Sequence, residues 1–553
     1  MFKKTVLLAS LIPVMASANI NNLTTDKNGF TYRFPFMASE TDPSDGTDTT
    51  EDLPTECSDG RPAITRGELD AMIAVGDDVS NVCTIAITDM SWLFKDNATF
   101  DQRIDTWNTS NVTTMEGMFY NATNFCSGCA PAPYEEEGAP SINNWNVSKV
   151  TNMAYMFYGT QSMASGLTKW DVSNVQTMDY MFFDAVYPHT LNDWNTASLT
   201  SMEGIFGGSG TPDDYFMSAS IYTNTELSNW DTSKVTNMKH AFKANYAFNA
   251  DISSWNTSQV RTMEGTFMGA ASFNQNLDSW NTSNLTNIKD IFYATSSYSP
   301  HDSLSVNGWD TSNITNMENA FRYSNYSGDL SNWDMSRVEN TKFMFFQAKF
   351  SGDIPNWRFA NLKEADGMFS ESLYTSTRND GYWDLSGWDL TGSTSVSGMF
   401  RDIYEGGTFN LNNWNLSTVK DASEMFARSY TLDPTLQNVN WGSLENVEGM
   451  FSEANAATSS NLDLANWNVS SVKNFNNMFK GSTGIFEEDE LNTLSGWNVS
   501  SATSMDGMFQ DSVYMNLDLT SWDVSNVNSW SNFYTGTRLE HYGNLDYLPT
   551  KFR

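Results

Sequence analysis

The chain has 553 residues, 30 basic against 66 acidic for a formal net charge of −36, and apolar content concentrated in large side chains, with 19 Trp, 35 Phe and 28 Met. A single hydrophobic core stops growing well below this length, so the core must be divided among domains or repeats. A surface this negative repels phosphate backbones and anionic headgroups, which argues against nucleic acid and against membrane-surface binding as partners.

In chain order, Lys3-Lys4, the apolar run Thr5 to Met15 and Ala16-Ser17-Ala18 carry the basic, hydrophobic and small-residue regions of a cleavable secretory signal, residues 1–18. The apolar run is short for a bilayer span, so no membrane insertion is expected. Residues 19–56 are polar, include the run Thr41 to Asp52, and read as a disordered linker. Residues 57–84 read as an N-terminal cap with a short helix over Arg66 to Val75. Cys57, Cys83, Cys126 and Cys129 form an even set in an exported chain, which favours disulfides, with Cys57–Cys83 and Cys126–Cys129 the expected pairs.

From about residue 85 to 534 the chain repeats. Trp recurs at 107, 145, 170, 194, 230, 255, 280, 309, 333, 357, 388, 414, 441, 467, 497 and 522. Numbered from each Trp, an aromatic follows at +12 in every copy except that of Trp441, where Phe451 stands two residues early. The pairs Trp107/Phe119, Trp170/Phe182, Trp255/Phe267 and Trp280/Phe292 are the expected structural core. An aliphatic residue stands at −3 (Ile104, Leu167) and +5 (Val112, Val175), and Met at +8 and +11 (Met115, Met118). Positions +8, +11 and +12 share one face of a helical turn. The Ser/Thr/Asn/Asp-rich stretch before them reads as a turn, and the residues entering Trp, such as Phe273 to Trp280, as a short strand. The expected fold is an α/β repeat solenoid of about sixteen rungs, each of about 25 residues with strand, turn and short helical turn.

Such a rung cannot fold alone. A buried Trp and Phe supply roughly 8–12 kcal/mol, whereas ordering a rung costs on the order of 30 kcal/mol or more. Stacked neighbours must supply the remainder, with caps at the ends; residues 535–553 leave the register and read as the C-terminal cap.

The motif Trp-[Asp/Asn]-x-Ser-x-Val-x-x-Met-x-x-Met-Phe, as in Trp107 to Phe119 and Trp170 to Phe182, resembles that of the BspA-like leucine-rich-repeat surface proteins of bacteria. The resemblance covers roughly residues 85–534. It implies a leucine-rich-repeat-like solenoid, display on the cell surface, and in some members adhesion to host proteins or other cells. It transfers no ligand, and the chain departs from anchored members in having neither a lipid-attachment cysteine after the leader nor a Leu-Pro-x-Thr-Gly tail.

No catalytic constellation stands out. His189, His240, His301 and His541 have no metal-ligand spacing, and no Gly-x-Ser-x-Gly or phosphate-cradling loop occurs, so the chain does not read as an enzyme and no cofactor is expected. The Asp or Asn at +1 (Asp171, Asp231, Asn256, Asn281, Asp310) could form a calcium ladder, but the interchange of Asp and Asn suits a turn hydrogen bond better. The acidic runs Glu135-Glu137 and Glu487-Glu490 are the better calcium candidates. Aromatics outside the register, Tyr215, Phe216, Tyr222, Tyr298, Tyr374, Tyr382, Trp383 and Tyr404, lie in the longer inter-rung segments and are candidate binding anchors. The expected function is adhesion or recognition of an extracellular protein, cell-surface or glycan ligand by a protein that is secreted, surface-displayed or periplasmic. The alternative is an acidic matrix scaffold that binds calcium and self-associates.

Overall fold

The computed structural model describes residues 53–553 apart from 126–140, 162–164, 188–189, 211–225, 296–302, 351–356, 375–381, 404–407, 430–432, 455–461 and 487–493 and positions 327, 437 and 463, together with two short strands nearer the N-terminus. It divides into two units, Met1–Leu53 and Pro54–Arg553. In the first, β1 (Leu23–Thr25) and β2 (Thr31–Arg33) pair antiparallel with Leu23 opposite Arg33. The segment expected to be a linker thus holds a short ladder, and its Thr and Tyr residues are types that suit a pleated strand. The leader lies outside the described residues.

The second unit begins with the expected helix, α1 (Arg66–Val75). Thr65 and Glu68 form a reciprocal capping box, and Gly76, at φ 80°, closes the C-terminus. Cys57 and Cys83 are joined by a disulfide. Leu69 is buried, and the Arg66 guanidinium donates to the carbonyls of Asp89 (3.0 Å) and Ser91 (2.9 Å) in the first, incomplete rung. Cys126 and Cys129 lie outside the described residues.

Successive rungs are joined by single parallel bridges at +7, running from Asp89–Thr114 through Thr114–Asn152 and Asn152–Thr177 to Ser504–Ser529. The expected strand before Trp is realised in only part of the chain. It appears as the parallel strands β5 (Tyr382–Asp384), β6 (Thr408–Asn410) and β7 (Asp433–Thr435), whereas before Trp280 it is reduced to the bridge Asn276–Ser305. A second short pair, β3 (Lys349–Phe350) with β4 (Leu373–Tyr374), follows the +12 position. Elsewhere the approach to Trp is a turn, the Trp107 amide donating to the Ile104 carbonyl at 3.1 Å.

The segment from +8 to +15 is not the expected helical turn. Within a rung, Met118, Tyr120 and Ala122 amides donate three residues back, to Met115, Gly117 and Phe119 (3.2, 3.0 and 3.0 Å). The intervening amides of Gly117, Phe119 and Asn121 donate sideways, to Ala154, Met156 and Tyr158 of the next rung (2.8, 2.9 and 2.7 Å). Positive φ at +10 and +14, as at Gly117 (57°), Tyr155 (58°), Asn121 (55°) and Asp184 (53°), makes this possible. A residue of left-handed conformation as the third member of a turn reverses the peptide orientation, so alternate N–H groups leave the rung instead of continuing a helix.

The same correction applies to the other +12 residues expected on a helical turn. The amides of Phe182, Phe267 and Phe292 donate to the carbonyls of Ile205, Ile291 and Ala320 in the next rung (2.9, 3.0 and 2.9 Å), not to a carbonyl of their own rung. Around Phe267 the two left-handed positions are Gly265 (58°) and Gly269 (71°), and around Phe292 they are Asp290 (56°) and Ala294 (51°). Only the backbone differs from expectation. The inward positions hold, with Met115, Met118, Phe119, Phe182, Phe267 and Phe292 all fully buried.

Phenyl rings at +12 form an unbroken column from Phe94 to Phe509, each ring 5.4–5.9 Å from the next, as for Phe94–Phe119, Phe119–Phe157 and Phe206–Phe242. In mid-column Phe267 lies 5.7 Å from Phe242 and 5.6 Å from Phe292, with the latter pair only 4° from parallel. Phe451 keeps its place although its rung is short, 5.4 Å from Phe426 and 5.8 Å from Phe479. The column ends where Phe533 turns edge-on to Phe509 at 89°. The buried ring of the last rung is therefore Phe533 at +11, not Tyr534 at +12, which is only partly buried.

Indoles stack beside this column, Trp107–Trp145 at 6.3 Å and Trp255–Trp280 at 6.5 Å. Each of these indole N–H groups also reaches the −3 carbonyl of the preceding rung: Trp145 to Ile104 (3.0 Å), Trp170 to Ile142 (2.9 Å), Trp255 to Leu227 (2.9 Å), Trp280 to Ile252 (3.0 Å). This tie explains the choice of Trp over Phe, because a buried N–H needs a partner and here it fastens one rung to another. The tie is missing at Trp388, whose N–H is buried without a partner among the described residues, and at Trp467, whose N–H reaches the Leu462 carbonyl only five residues before it at 3.2 Å. Trp441 departs furthest: its rung lacks two residues of the turn after Trp, its N–H is buried without a partner among the described residues, and its ring is tilted 39° to Trp467.

At the far end α2 (Arg538–Tyr542) and the turns after it cover the last rung. The Lys551 ammonium donates to the carbonyls of Val524, Ser525 and Val527 (3.2, 3.1 and 2.6 Å), supplying donors that a following rung would otherwise provide.

Candidate ligand-binding face

Of the inter-rung aromatics singled out in the sequence, Tyr215, Phe216, Tyr222, Tyr298 and Tyr404 lie outside the described residues. Tyr374, Tyr382 and Trp383 contribute strand backbone in β4 and β5. The acidic runs at 135–137 and 487–490 also lie outside. The core set, Trp107, Phe119, Trp170, Phe182, Trp255, Phe267, Trp280 and Phe292, is buried throughout and offers no face to a ligand. Asp and Asn at +1 are engaged locally: Asp171, Asp231, Asn256, Asn281 and Asp310 each accept the Ser N–H two residues on, at 2.9–3.1 Å. This is the turn bond that their interchangeability suggested. Among the described residues no three His, Cys, Asp or Glu side chains are grouped to hold a metal ion.

A different set of aromatics is brought together by the turn run. Because +11 and +12 face the core, +9, +10, +13 and +14 form parallel columns on the other side of the turn run, partly exposed in some rungs and buried in others, as at Phe183, Lys243 and Asp290. In the first rungs the +10 column carries Trp92, Tyr155 and Tyr180, and the +13 column Tyr120, Tyr158 and Phe183. Tyr155 and Tyr180 stack at 5.1 Å, Tyr120 and Tyr158 at 4.5 Å, Tyr158 and Phe183 at 5.1 Å, and Trp92 lies 6.0 Å from Tyr155. Trp92 is 36% exposed and Tyr120, Tyr155, Tyr158 and Tyr180 are half-buried. Glycines let the rings lie flat: a Cβ at Gly117 would strike the Trp92 ring, and one at Gly204 the Tyr180 ring.

Carboxylates border both sides of this platform. Glu116, Asp179 and Glu203 occupy +9, and Asp96 and Asp184 occupy +14. Their hydrogen bonds come from uncharged donors: Glu116 from Asn152 (2.9 Å), Asp179 from Ser201 (2.6 Å), Glu203 from Tyr180 (2.7 Å) and Asn237 (2.9 Å), Asp96 from Asn121 (2.9 Å), Asp184 from the Ser209 amide (2.8 Å). Burial pushes the carboxyls of Glu116, Asp179 and Asp184 up, at Asp184 against the lowering field of Lys243. Burial first, then the fields of Asp179, Glu203 and Glu116, holds the proton on the Tyr155 hydroxyl, so the platform stays a neutral aromatic surface in a negative field.

Two further clusters use the same columns. In mid-chain the Arg322 guanidinium at +13 is caged by Tyr293, Tyr323, Phe343 and Phe346, 5.6, 5.0, 5.3 and 4.7 Å from the ring centres. Further on, Asp402 at +14 receives Arg428 through two bonds of 2.7 Å and Arg401 at 2.9 Å, while Arg401 also reaches Glu424 at 2.7 Å. Burial raises the Asp402 carboxyl, but the bonds from both arginines outweigh it and hold the group below its ordinary range. Nearer the platform, the His240 ring lies over Gly265, and burial with Lys243 and Lys239 drives its pKa well down, so it is neutral at pH 7.

The signal for the platform was available in the sequence as aromatics at +10 or +13 in consecutive copies. It was obscured because those rings directly adjoin the Met and Phe of the core and read as an extension of it.

Among the described residues no helix is long and apolar enough to cross a membrane. Neither a curated protein nor a solved structure matches the chain. One family description, "Mycoplasma protein of unknown function, DUF285", matches six times in succession, at residues 69–130, 134–214, 212–305, 300–406, 382–462 and 455–542. These matches take in nearly all of the rung-bearing region, and the chain belongs to the DUF285 family.

Proposed function

We propose that this is an exported, non-enzymatic recognition protein of the BspA-like kind, in which residues 85–534 form a leucine-rich-repeat-like solenoid that presents an adhesive surface. The single observation that carries the reading is the aromatic platform of Trp92, Tyr120, Tyr155, Tyr158 and Tyr180. Large rings left partly exposed in consecutive rungs contribute nothing to the inner columns, whereas accessible aromatics are among the residues that dominate binding energy at interfaces. The repeat itself favours this role, since stacked rungs hold outward side chains at fixed spacing on a rigid support. Export is inferred from the basic, apolar and small-residue pattern of residues 1–18.

The test is attachment of the mature chain, residues 19–553, to cells, immobilised matrix proteins and a glycan array. The quadruple variant Trp92→Ala, Tyr120→Ala, Tyr155→Ala and Tyr180→Ala should lose attachment with its thermal transition retained. Attachment at the original level would sink the platform as the recognition surface.

A further inference from the structure

Building on the recognition role proposed above, we infer that the platform's ligand is an extended, lysine- and arginine-bearing protein segment, its cationic side chains laid over the rings of Tyr155, Tyr158 and Tyr180 between the two rows of carboxylates. The protein already demonstrates the chemistry with its own cations. At one end of the platform the Lys95 ammonium sits over Trp92 at 5.5 Å and Tyr120 at 5.8 Å. In mid-chain the +10 and +13 positions, joined by Tyr323 at +14, hold the Arg322 guanidinium among four rings. In the rungs of Trp145 and Trp170 the +13 residue is instead a ring, Tyr158 or Phe183, and among the described residues no lysine or arginine lies over Tyr155, Tyr158 or Tyr180.

Charge complementarity selects this occupant. The mid-chain +9 column pairs its acids with lysines, Lys239 with Glu264 at 2.9 Å and Lys289 with Glu318 at 3.0 Å. The platform's +9 acids, Glu116, Asp179 and Glu203, have neutral donors in place of those lysines. Desolvated carboxylates beside aromatic faces attract a cation twice, through the ion and through the ring quadrupole. Rungs follow one another at the spacing of paired strands, about 4.8 Å. Alternate side chains of an extended segment, about 7 Å apart, therefore pass a ring roughly every one to two rungs.

The test uses the mature chain and a fluorescein-labelled peptide of four Gly-Arg-Gly-Lys repeats, with the Arg/Lys→Gln peptide and chitohexaose as comparison probes, read by polarisation and titration. Binding of the basic peptide should weaken about tenfold or more in Tyr155→Ala/Tyr180→Ala and weaken again in Glu116→Gln/Asp96→Asn, with circular dichroism unchanged in both. The C-terminal variant Asp511→Asn, which removes one charge from the same +14 column, should bind as the parent does. Equal weakening by Asp511→Asn, or undiminished binding to the ring-deleted variant, would mean mere attraction to a polyanion and would overturn the inference. Chitohexaose binding that needs the rings, without peptide binding, would also overturn it while leaving the recognition role standing. Loss of attachment in the cell and matrix assay reports on that role separately.

Discussion

The platform around Tyr155 and the ion cluster around Asp402 occupy the same register positions on the same kind of rung, yet one is rings bordered by carboxylates whose hydrogen-bond donors are neutral and the other a closed set of arginine–carboxylate bonds. The difference teaches that the rung dictates where a side chain points and leaves its chemistry free. Inward positions carry Trp, Met and Phe from one end to the other because stacking and burial depend on them. Outward positions satisfy no ladder bond through their side chains, so one region can close its polar groups among themselves while another leaves rings and charges available.

The sharpest way to break this comparison is to show that the two regions do not share one core. Trp170→Ala and Trp497→Ala should each cost about 3–5 kcal/mol, judged by loss of hydrogen-exchange protection in the flanking rungs. Markedly unequal costs would mean the regions differ inside as well as outside.

Between the two regions lies Asp290, 4% exposed, whose carboxyl is pushed up to about 6 by burial ahead of the opposing effect of Lys289. A native pKa above the unfolded value of 3.8 means that stability falls as pH rises from about 4 to about 6 and stays lower beyond. Asp290→Asn should remove that loss, raising stability at pH 7.5 by on the order of 2–3 kcal/mol at most, with no gain at pH 3.5; thermal melts across this range read the effect. An Asn is also well suited to the positive φ of 56° at this position.

Smaller effects should separate the two faces by kind. Asp402→Ala leaves two half-buried guanidinium groups without their shared acceptor and should cost about 2 kcal/mol, whereas Tyr155→Ala should cost less than about 1 kcal/mol and act mainly on attachment. Comparable stability losses at the two sites would make the platform a structural feature. The smallest difference concerns the indole ties. Trp280→Phe forfeits a made hydrogen bond and should cost about 1 kcal/mol beyond the change in ring size. Trp441→Phe removes an N–H that has no partner among the described residues and should cost nothing beyond that change. Equal values would show that the N–H tie contributes nothing.

Much of the inner architecture was legible beforehand. The +8, +11 and +12 residues are buried as their spacing required, α1 spans the expected Arg66–Val75, and Cys57 pairs with Cys83. The local conformation was less legible. Spacing of i, i+3, i+4 is shared by a helical turn and by overlapping turns, and only φ at +10 and +14 separates them. Phe267 and Phe292 show the consequence, since their burial was foreseeable while the sideways direction of their amides was not. A non-glycine residue such as Tyr155 at φ 58° gives little composition signal for that choice. The indole ladder was likewise hidden, since sequence marks Trp as large and apolar but not where its N–H is satisfied.

Sequence by itself determined which residues form the hydrophobic columns, because periodic recurrence of large apolar side chains admits burial on one side only. Tertiary structure decided what the polar backbone and the outward rings do. Sideways hydrogen bonds, the indole ties and the assembly of Trp92, Tyr120, Tyr155, Tyr158 and Tyr180 into one surface exist only between rungs, joining residues about 25 positions or more apart. Their partners are set by how each rung pairs with the next.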